Sequence, residues 1–263
     1  MFGFASESFR IGSRPAGITN PNQLPTLQVW YNADIDGSPN FNQTNGNGGT
    51  VNQWLDRSGT GHAAKFQSGA SQNAPRWYAN QLGVGTTLGI IRFNGANNES
   101  LAVGQATWMR SLSGFSLFIV AKASTVGVST RTMTSTDTGG FRISQNTSNW
   151  TIQTAGCTGV STVTGVGDTT KYNIYALIFD GTGIGNTARL RFRYNKVEKP
   201  LTYVGTAGSL TNASTSSFYV GVGSVGNTEY FTGDIAEMIM FTRAVNSSEI
   251  GGVESYMSSH WNI

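Results

Sequence analysis

Apolar and polar positions alternate along this chain with two distinct periods. Phe218, Val220 and Val222 alternate with Tyr219, Gly221 and Gly223, the period of two that predicts a strand lying over a core. Gly226-Asn227 predicts a turn. From Ile235 to Thr242 the chain is apolar almost throughout, which suits a strand covered on both faces. Glu237 interrupts that run. By parity it shares a face with Ile235, Ile239 and Phe241, so its carboxylate is expected to be paired, with Arg243 the nearest candidate. The period then changes. Asn246 offers an N-cap with Glu249 three residues on, and Ile250, Val253, Met257 and Trp261 follow at helical spacing, which predicts a short terminal helix packed on the sheets.

Upstream, Phe115–Lys122 and Tyr172–Gly181 are the clearest central strands. Shorter candidates lie at Phe141–Ile143, Asn149–Ile152 and Arg189–Lys196, separated by Ser/Thr/Gly loops. Regularly spaced strands without helical crossovers predict an all-β fold, an antiparallel two-sheet sandwich. Residues 1–24 differ from the rest. Phe2, Phe4, Phe9 and Ile11 are scattered among Ser, Gly and Arg, and Pro15 and Pro21 rule out a continuous helix. Fully extended, such a segment reaches about 80 Å. The division expected is an N-terminal arm at 1–24, gripping a neighbouring subunit through its Phe side chains, and one domain at 25–263; the alternative is a lead-in folded back over that same domain.

Three groups of residues carry a resemblance. They are Phe218-Tyr219-Val220-Gly221 with Gly233-Asp234-Ile235-Ala236-Glu237, the turn Trp54-Leu55-Asp56-Arg57-Ser58-Gly59 ahead of His62-Ala63, and Arg92-Phe93-Asn94-Gly95. In this order they resemble the concanavalin A-like, laminin-G-like jelly-roll domains. The resemblance covers about residues 25–263 and implies a jelly-roll sandwich able to bind glycans. The family usually carries Asp where this chain has Asn94, which weakens its calcium site here. Asp56, Asn94, Asn97, Asp180 and Asp234 could still offer oxygens, but no linear spacing singles them out, so no cofactor is expected.

Composition narrows the function. Of 263 residues only 12% are charged and 34 are Gly, with a formal charge of +3, so neither nucleic acid nor a membrane is an indicated partner. The lone Cys157 allows no intrachain disulfide. Arg189, Arg191 and Arg193 alternate with Leu190, Phe192 and Tyr194; they read as a solvated strand face or a basic contact strip. Trp54, Trp77 and Tyr78 are candidate glycan platforms, with core packing the competing role. No run of alternating carboxylates matches the catalytic strand of the glucan-cleaving relatives, and Asp234 and Glu237 fall on opposite strand faces by parity. His62, His260 and Cys157 lie in no nucleophile motif. The expectation is a non-enzyme: a bacteriophage virion protein, a capsid decoration or minor structural component made in the host cytoplasm, anchored by its arm, multi-copy or homo-oligomeric, bound to capsid or tail subunits and able to touch cell-surface glycans. The alternatives are a free carbohydrate-binding lectin and a tail-fibre or receptor-binding component.

Overall fold

The run after Gly233 becomes the central strand of an eight-stranded sheet, and the terminal helix forms where its cap predicts. The structure is a computed structural model that describes residues 17–34, 41–43, 47–67, 73–79, 81, 88–124, 131–137, 140–146, 149–154, 156–161, 169–223 and 229–263. Across the first sheet run Val197–Lys199, Leu190–Tyr194, Asn173–Asp180, Gly114–Ala123, Gly233–Phe241, Ile90–Phe93 and Arg76–Tyr78. Leu27–Asn32 shares one edge of Gly233–Phe241 with Ile90–Phe93, each pairing with a different half of it. The second sheet holds ten strands in the order Leu201–Val204, Cys157–Ser161, Asn149–Thr154, Phe141–Asn146, Arg131–Thr136, Ser217–Val220, Leu101–Gly104, Ala64–Lys65, Val51–Trp54 and Phe41–Gln43. All these strand pairs are antiparallel.

The two sheets close over one apolar layer. Phe115 packs against Phe141 and Phe179 with ring centroids 5.2 and 5.6 Å apart, and Phe141 packs against Phe218 at 5.8 Å. A second layer lies between the eight-stranded sheet and the helix Ser247–Trp261, where Ile250, Val253, Met257 and Trp261 meet Phe118, Val120, Ile178 and Ile239. Each large side chain so buried contributes about 1.5–3 kcal/mol, enough to hold a helix that Gly251 and Gly252 weaken. The capping box is present: Asn246 Oδ1 accepts from the Glu249 N–H at 3.0 Å, and Glu249 Oε2 accepts from the Asn246 N–H at 2.8 Å.

Three local expectations change. The strand at Phe218 ends at Val220, because Gly221 takes φ +87° and turns the chain. Val222 therefore packs with Tyr219, Ala102 and Tyr230 on the outer face instead of continuing the core face. In the central strand, Ala236 is an extra residue between the pairs Ile235↔Ala121 and Glu237↔Val120. This bulge sends Ile235 into the inter-sheet layer and Glu237 to the helix side. Asp234 and Glu237 consequently share a face, where simple alternation would separate them.

Phe2, Phe4, Phe9 and Ile11 lie outside the described residues, as does the Gly226-Asn227 turn. Residues 17–24, expected in the arm, are folded onto the domain: Pro21 is buried in a short 3-10 turn, and Ile18 and Leu24 pack against the helix layer.

Candidate functional site

The helix leaves one broad face of the sandwich uncovered. On the ten-stranded sheet, Leu101, Val103, Phe218, Val220, Phe141, Ile143, Trp150 and Ile152 point into the core, so the residues between them point outward. Cross-strand register then aligns one rung over eight strands: Gln53, Lys65, Ala102, Tyr219, Ser135, Arg142, Gln153 and Thr158 are successive partners. The next rung carries Thr132, Ser144 and Thr151. Gln53, Lys65, Arg142, Gln153 and Thr158 keep part of their surface in solvent, while Ala102, Tyr219 and Ser135 are buried beneath the return of the chain at Val222 and Tyr230.

At its centre Arg142 Nη2 forms an ion pair with Glu229 Oε2. Thr132 Oγ1 donates to the same Glu229 oxygen at 3.3 Å, and the Glu229 carbonyl accepts from the Thr132 N–H at 3.1 Å. The segment ending at Tyr230 is thereby laid beside the strand Arg131–Thr136. Both charged side chains remain about a quarter exposed, at 23% and 24%, and burial pushes the Arg142 guanidinium below its ordinary value. Ser135 Oγ donates to the carbonyls of Val222 and Gly223 at 2.9 and 2.6 Å. Gln153 Nε2 donates to Thr158 Oγ1 at 2.9 Å. Ser144, 1% exposed, has an Oγ with no hydrogen-bond partner among the described residues. A buried hydroxyl without a partner carries a desolvation cost that a bound polar group would relieve.

The residues singled out from sequence fall elsewhere. Trp54 and Trp77 are 0% and 4% exposed in the inter-sheet core. Their indole N–H groups donate to the carbonyls of Asn32 and Ala33 at 3.1 and 2.9 Å, so neither offers a ring face to a sugar. Tyr78 is half-buried, with the Arg92 guanidinium 4.7 Å above its ring. The arginine strip is not continuous. Arg189 sits in the helical turn Asn186–Arg189 and donates to the carbonyls of Gly183 and Ala207. Arg191 and Arg193 do alternate along their strand, yet Arg191 lies 3.7 Å from Glu198, and Arg193 holds the buried Glu254 of the terminal helix at 2.8 and 2.9 Å.

The acidic residues are likewise engaged. Glu237 does not meet Arg243, which grips Glu249 in a two-pronged contact at 2.7 Å. It lies fully buried and accepts from Trp261 Nε1 at 2.6 Å, Trp30 Nε1 at 2.7 Å, Tyr256 OH at 2.9 Å and Asn32 Nδ2 at 3.1 Å. Burial pushes its carboxyl up, against the pull of those donors. His260 lies beside this cluster, its Nε2 3.6 Å from Asp34 Oδ2. Asp234 is clasped by Arg92 at 2.7 and 3.0 Å and accepts from Tyr172 OH at 2.7 Å. Asp56 closes the Trp54–Gly59 turn by accepting from the N–H groups of Trp30, Ser58 and His62 and the hydroxyls of Ser58 and Thr60. Burial raises its carboxyl, but these donors outweigh it and hold the group below the usual range. Among the described residues no three acidic, His or Cys side chains converge as metal ligands do.

The alternation Phe141-Arg142-Ile143-Ser144 signals an outward Arg and Ser, and Asn149–Thr154 signals the same for its polar positions. Glu229 carries no local signal, because its meeting with Arg142 depends on a return of the chain 87 residues later.

No protein-family model matches this chain, and no curated protein sequence matches it. Solved structures do. Domain 4 of AbnA, an extracellular arabinanase from Geobacillus stearothermophilus determined with arabinotriose, is 16% identical with a TM-score of 0.54, covering 88% of this chain and 98% of that one. The binding domain of Paraclostridial Mosquitocidal Protein 1 is 13% identical with a TM-score of 0.56, covering 92% of this chain and 54% of that one. A Trypanosoma rangeli sialidase is 13% identical with a TM-score of 0.55, covering 90% of this chain and 33% of that one. The chain thus spans about a third of the sialidase, about half of the toxin domain and nearly all of the arabinanase domain. The likeness is one of fold, a two-sheet β-sandwich.

Proposed function

We propose that this chain is a non-catalytic carbohydrate-binding domain that takes a polar sugar chain on the open face of its ten-stranded sheet. The observation that carries the reading is the partly exposed rung Arg142, Gln153 and Thr158 beside the unpartnered Ser144 hydroxyl. An amide, hydroxyls and one guanidinium match the donor and acceptor pattern of sugar hydroxyls. The arabinotriose bound by the arabinanase domain supports a saccharide as the ligand class. Glycosidase chemistry needs two carboxylates flanking the bond. On this face Arg142 and Thr132 contact a single one, Glu229, while Asp234 and Glu237, on the other sheet, are held by Arg92 and by Trp261 of the terminal helix.

Arg142→Ala and Gln153→Ala should each weaken binding of an arabino- or galacto-oligosaccharide by about tenfold, the loss of one charge-assisted or neutral hydrogen bond, without moving the melting temperature by more than a few degrees. Unchanged affinity in both variants sinks the reading. The finer proposal is a virion component held by its leading segment, on the strength of composition and the family resemblance. Because residues 17–24 belong to the folded domain, removing 1–16 alone tests it. Particles should then incorporate less of the chain, and equal incorporation favours a free module.

A further inference from the structure

A second concavity lies on the eight-stranded sheet, away from the open face. It has a volume of about 640 Å³ and is framed by Lys122, Lys171, Tyr172, Asn173, Asn195 and Lys196, with Asn262 and Ile263 closing one rim. Three elements bring these residues together. Lys122 comes from the strand Gly114–Ala123, and Asn173 opens the strand Asn173–Asp180. Asn195 and Lys196 form the two-residue turn between Leu190–Tyr194 and Val197–Lys199. Both turn residues have positive φ, 49° and 67°, the conformation of a tight hairpin turn.

The amides are wired to one another. Asn195 Nδ2 donates to Asn173 Oδ1 at 2.9 Å, Asn195 Oδ1 accepts from the Ile174 N–H at 2.9 Å, and Asn173 Nδ2 donates to the Lys171 carbonyl at 2.9 Å. This fixes the groove wall before any ligand arrives. Lys122 Nζ lies 4.9 Å above the Tyr172 ring and 3.6 Å from Asp234 Oδ2, but Asp234 is already held by Arg92. Lys171 and Lys196 are exposed, and no carboxylate among the described residues lies within 4.0 Å of either. Lys122, Lys171, Lys196 and Arg92 are set against Asp234 and the main-chain carboxylate that Ile263 carries when it ends the chain. Positive charge remains in excess.

From the preformed wall, the half-buried Tyr172 ring and this excess charge, we infer that the groove binds a saccharide bearing an anionic group, a carboxylate or a sulfate. The volume suits one to three sugar rings. Lysines act as point charges toward such groups, and the amide wall and Tyr172 supply the contacts to the ring. The saccharide part rests on the reading given above; the anionic part rests on the groove alone.

The test is calorimetric titration of the full chain with trigalacturonate and its methyl ester, and with sulfated and plain lactose. K171E/K196E reverses the two exposed charges without touching a described contact, and R142A reports on the other face. The expected result is that the acidic or the sulfated sugar binds. Titrated in R142A protein, whose open face is disabled, the neutral counterpart should bind at least about tenfold more weakly, as should the charged sugar once K171E/K196E is added, and salt should weaken the remaining affinity. Equal binding of the neutral counterpart overturns the inference, as does unchanged affinity in K171E/K196E or complete displacement by equimolar inorganic sulfate. If only neutral sugars bind and only R142A abolishes that binding, this inference falls and the proposed function stands. If no saccharide binds at either place, both fall.

Discussion

Replacing Glu237 by Gln removes one oxygen from a fully buried carboxylate that four side-chain donors share. The carboxylate satisfies two indole N–H groups, a phenol and an amide, at 2.6–3.1 Å, in a layer with no access to solvent. Gln keeps one acceptor, which can still serve Trp30, Tyr256 and Asn32. Its NH2 must then face the Trp261 N–H, donor against donor. Leaving one buried donor without an acceptor in so dry a layer costs about 2–3 kcal/mol, the upper part of the usual range. For a domain of this size each kcal/mol moves the melting temperature by about 2–4 °C, so the variant should melt about 5–10 °C lower. Thermal unfolding followed by tryptophan fluorescence reads this directly.

The same pair of proteins tests the titration. Burial raises the Glu237 carboxyl in the folded state, so the folded protein binds the proton more tightly than the unfolded one, and the contribution is full below the unfolded value of about 4.3. As pH rises from there through the raised folded value, wild type loses that contribution and Glu237→Gln does not. The deficit of the variant should therefore shrink with rising pH. A variant as stable as wild type at every pH, or a deficit that grows with pH, refutes this account of the cluster.

Asp56→Ala strips the Trp54–Gly59 turn of its organising acceptor and should lower the urea midpoint by an amount equivalent to about 2–3 kcal/mol. Because the folded Asp56 carboxyl is depressed, its contribution is present above about 3.9 and disappears as pH falls through the lower folded value; an effect that persists at lower pH contradicts this. Lys196→Gly relieves a side chain held at φ 67° and should stabilise the fold by up to about 1 kcal/mol while weakening anionic ligands in the groove. Gly251→Ala meets nothing within 4 Å and should stabilise the helix by about 0.8–1 kcal/mol. In Gly252→Ala the new methyl would approach Ile18 Cδ1 to 2.4 Å, so it should gain less than its neighbour in the same melting experiment.

The parts of the fold legible in the sequence are those whose cause is local. The terminal helix announces itself because its cap lies within four residues and its buried face recurs every three or four. The central strand is legible because it is apolar on both faces. Its bulge is not: one extra residue at Ala236 leaves composition unchanged, yet it reverses the face on which Ile235 points relative to Glu237. Parity therefore misplaced Asp234 against Glu237 and gave Glu237 the wrong partner. Trp54 and Trp77 were ambiguous because a large ring with one N–H suits a core pocket near a spare carbonyl as well as a sugar platform. Arg142, Gln153 and Ser135 read as ordinary outward positions. That they form one rung depends on register between strands distant in sequence, which no single strand encodes.

The strand Gly233–Phe241 stands in the middle of its sheet, flanked by Gly114–Ala123 on one side and by Ile90–Phe93 and Leu27–Asn32 on the other, but it follows every other described strand in the sequence. Until it emerges, the earlier strands wait with open edges, and the Trp30–Glu237 contact must close across 207 residues of chain. Folding of this sheet is thus an event of high contact order. A nascent chain stalled before residue 233 should be a client for chaperones rather than a partly finished sandwich.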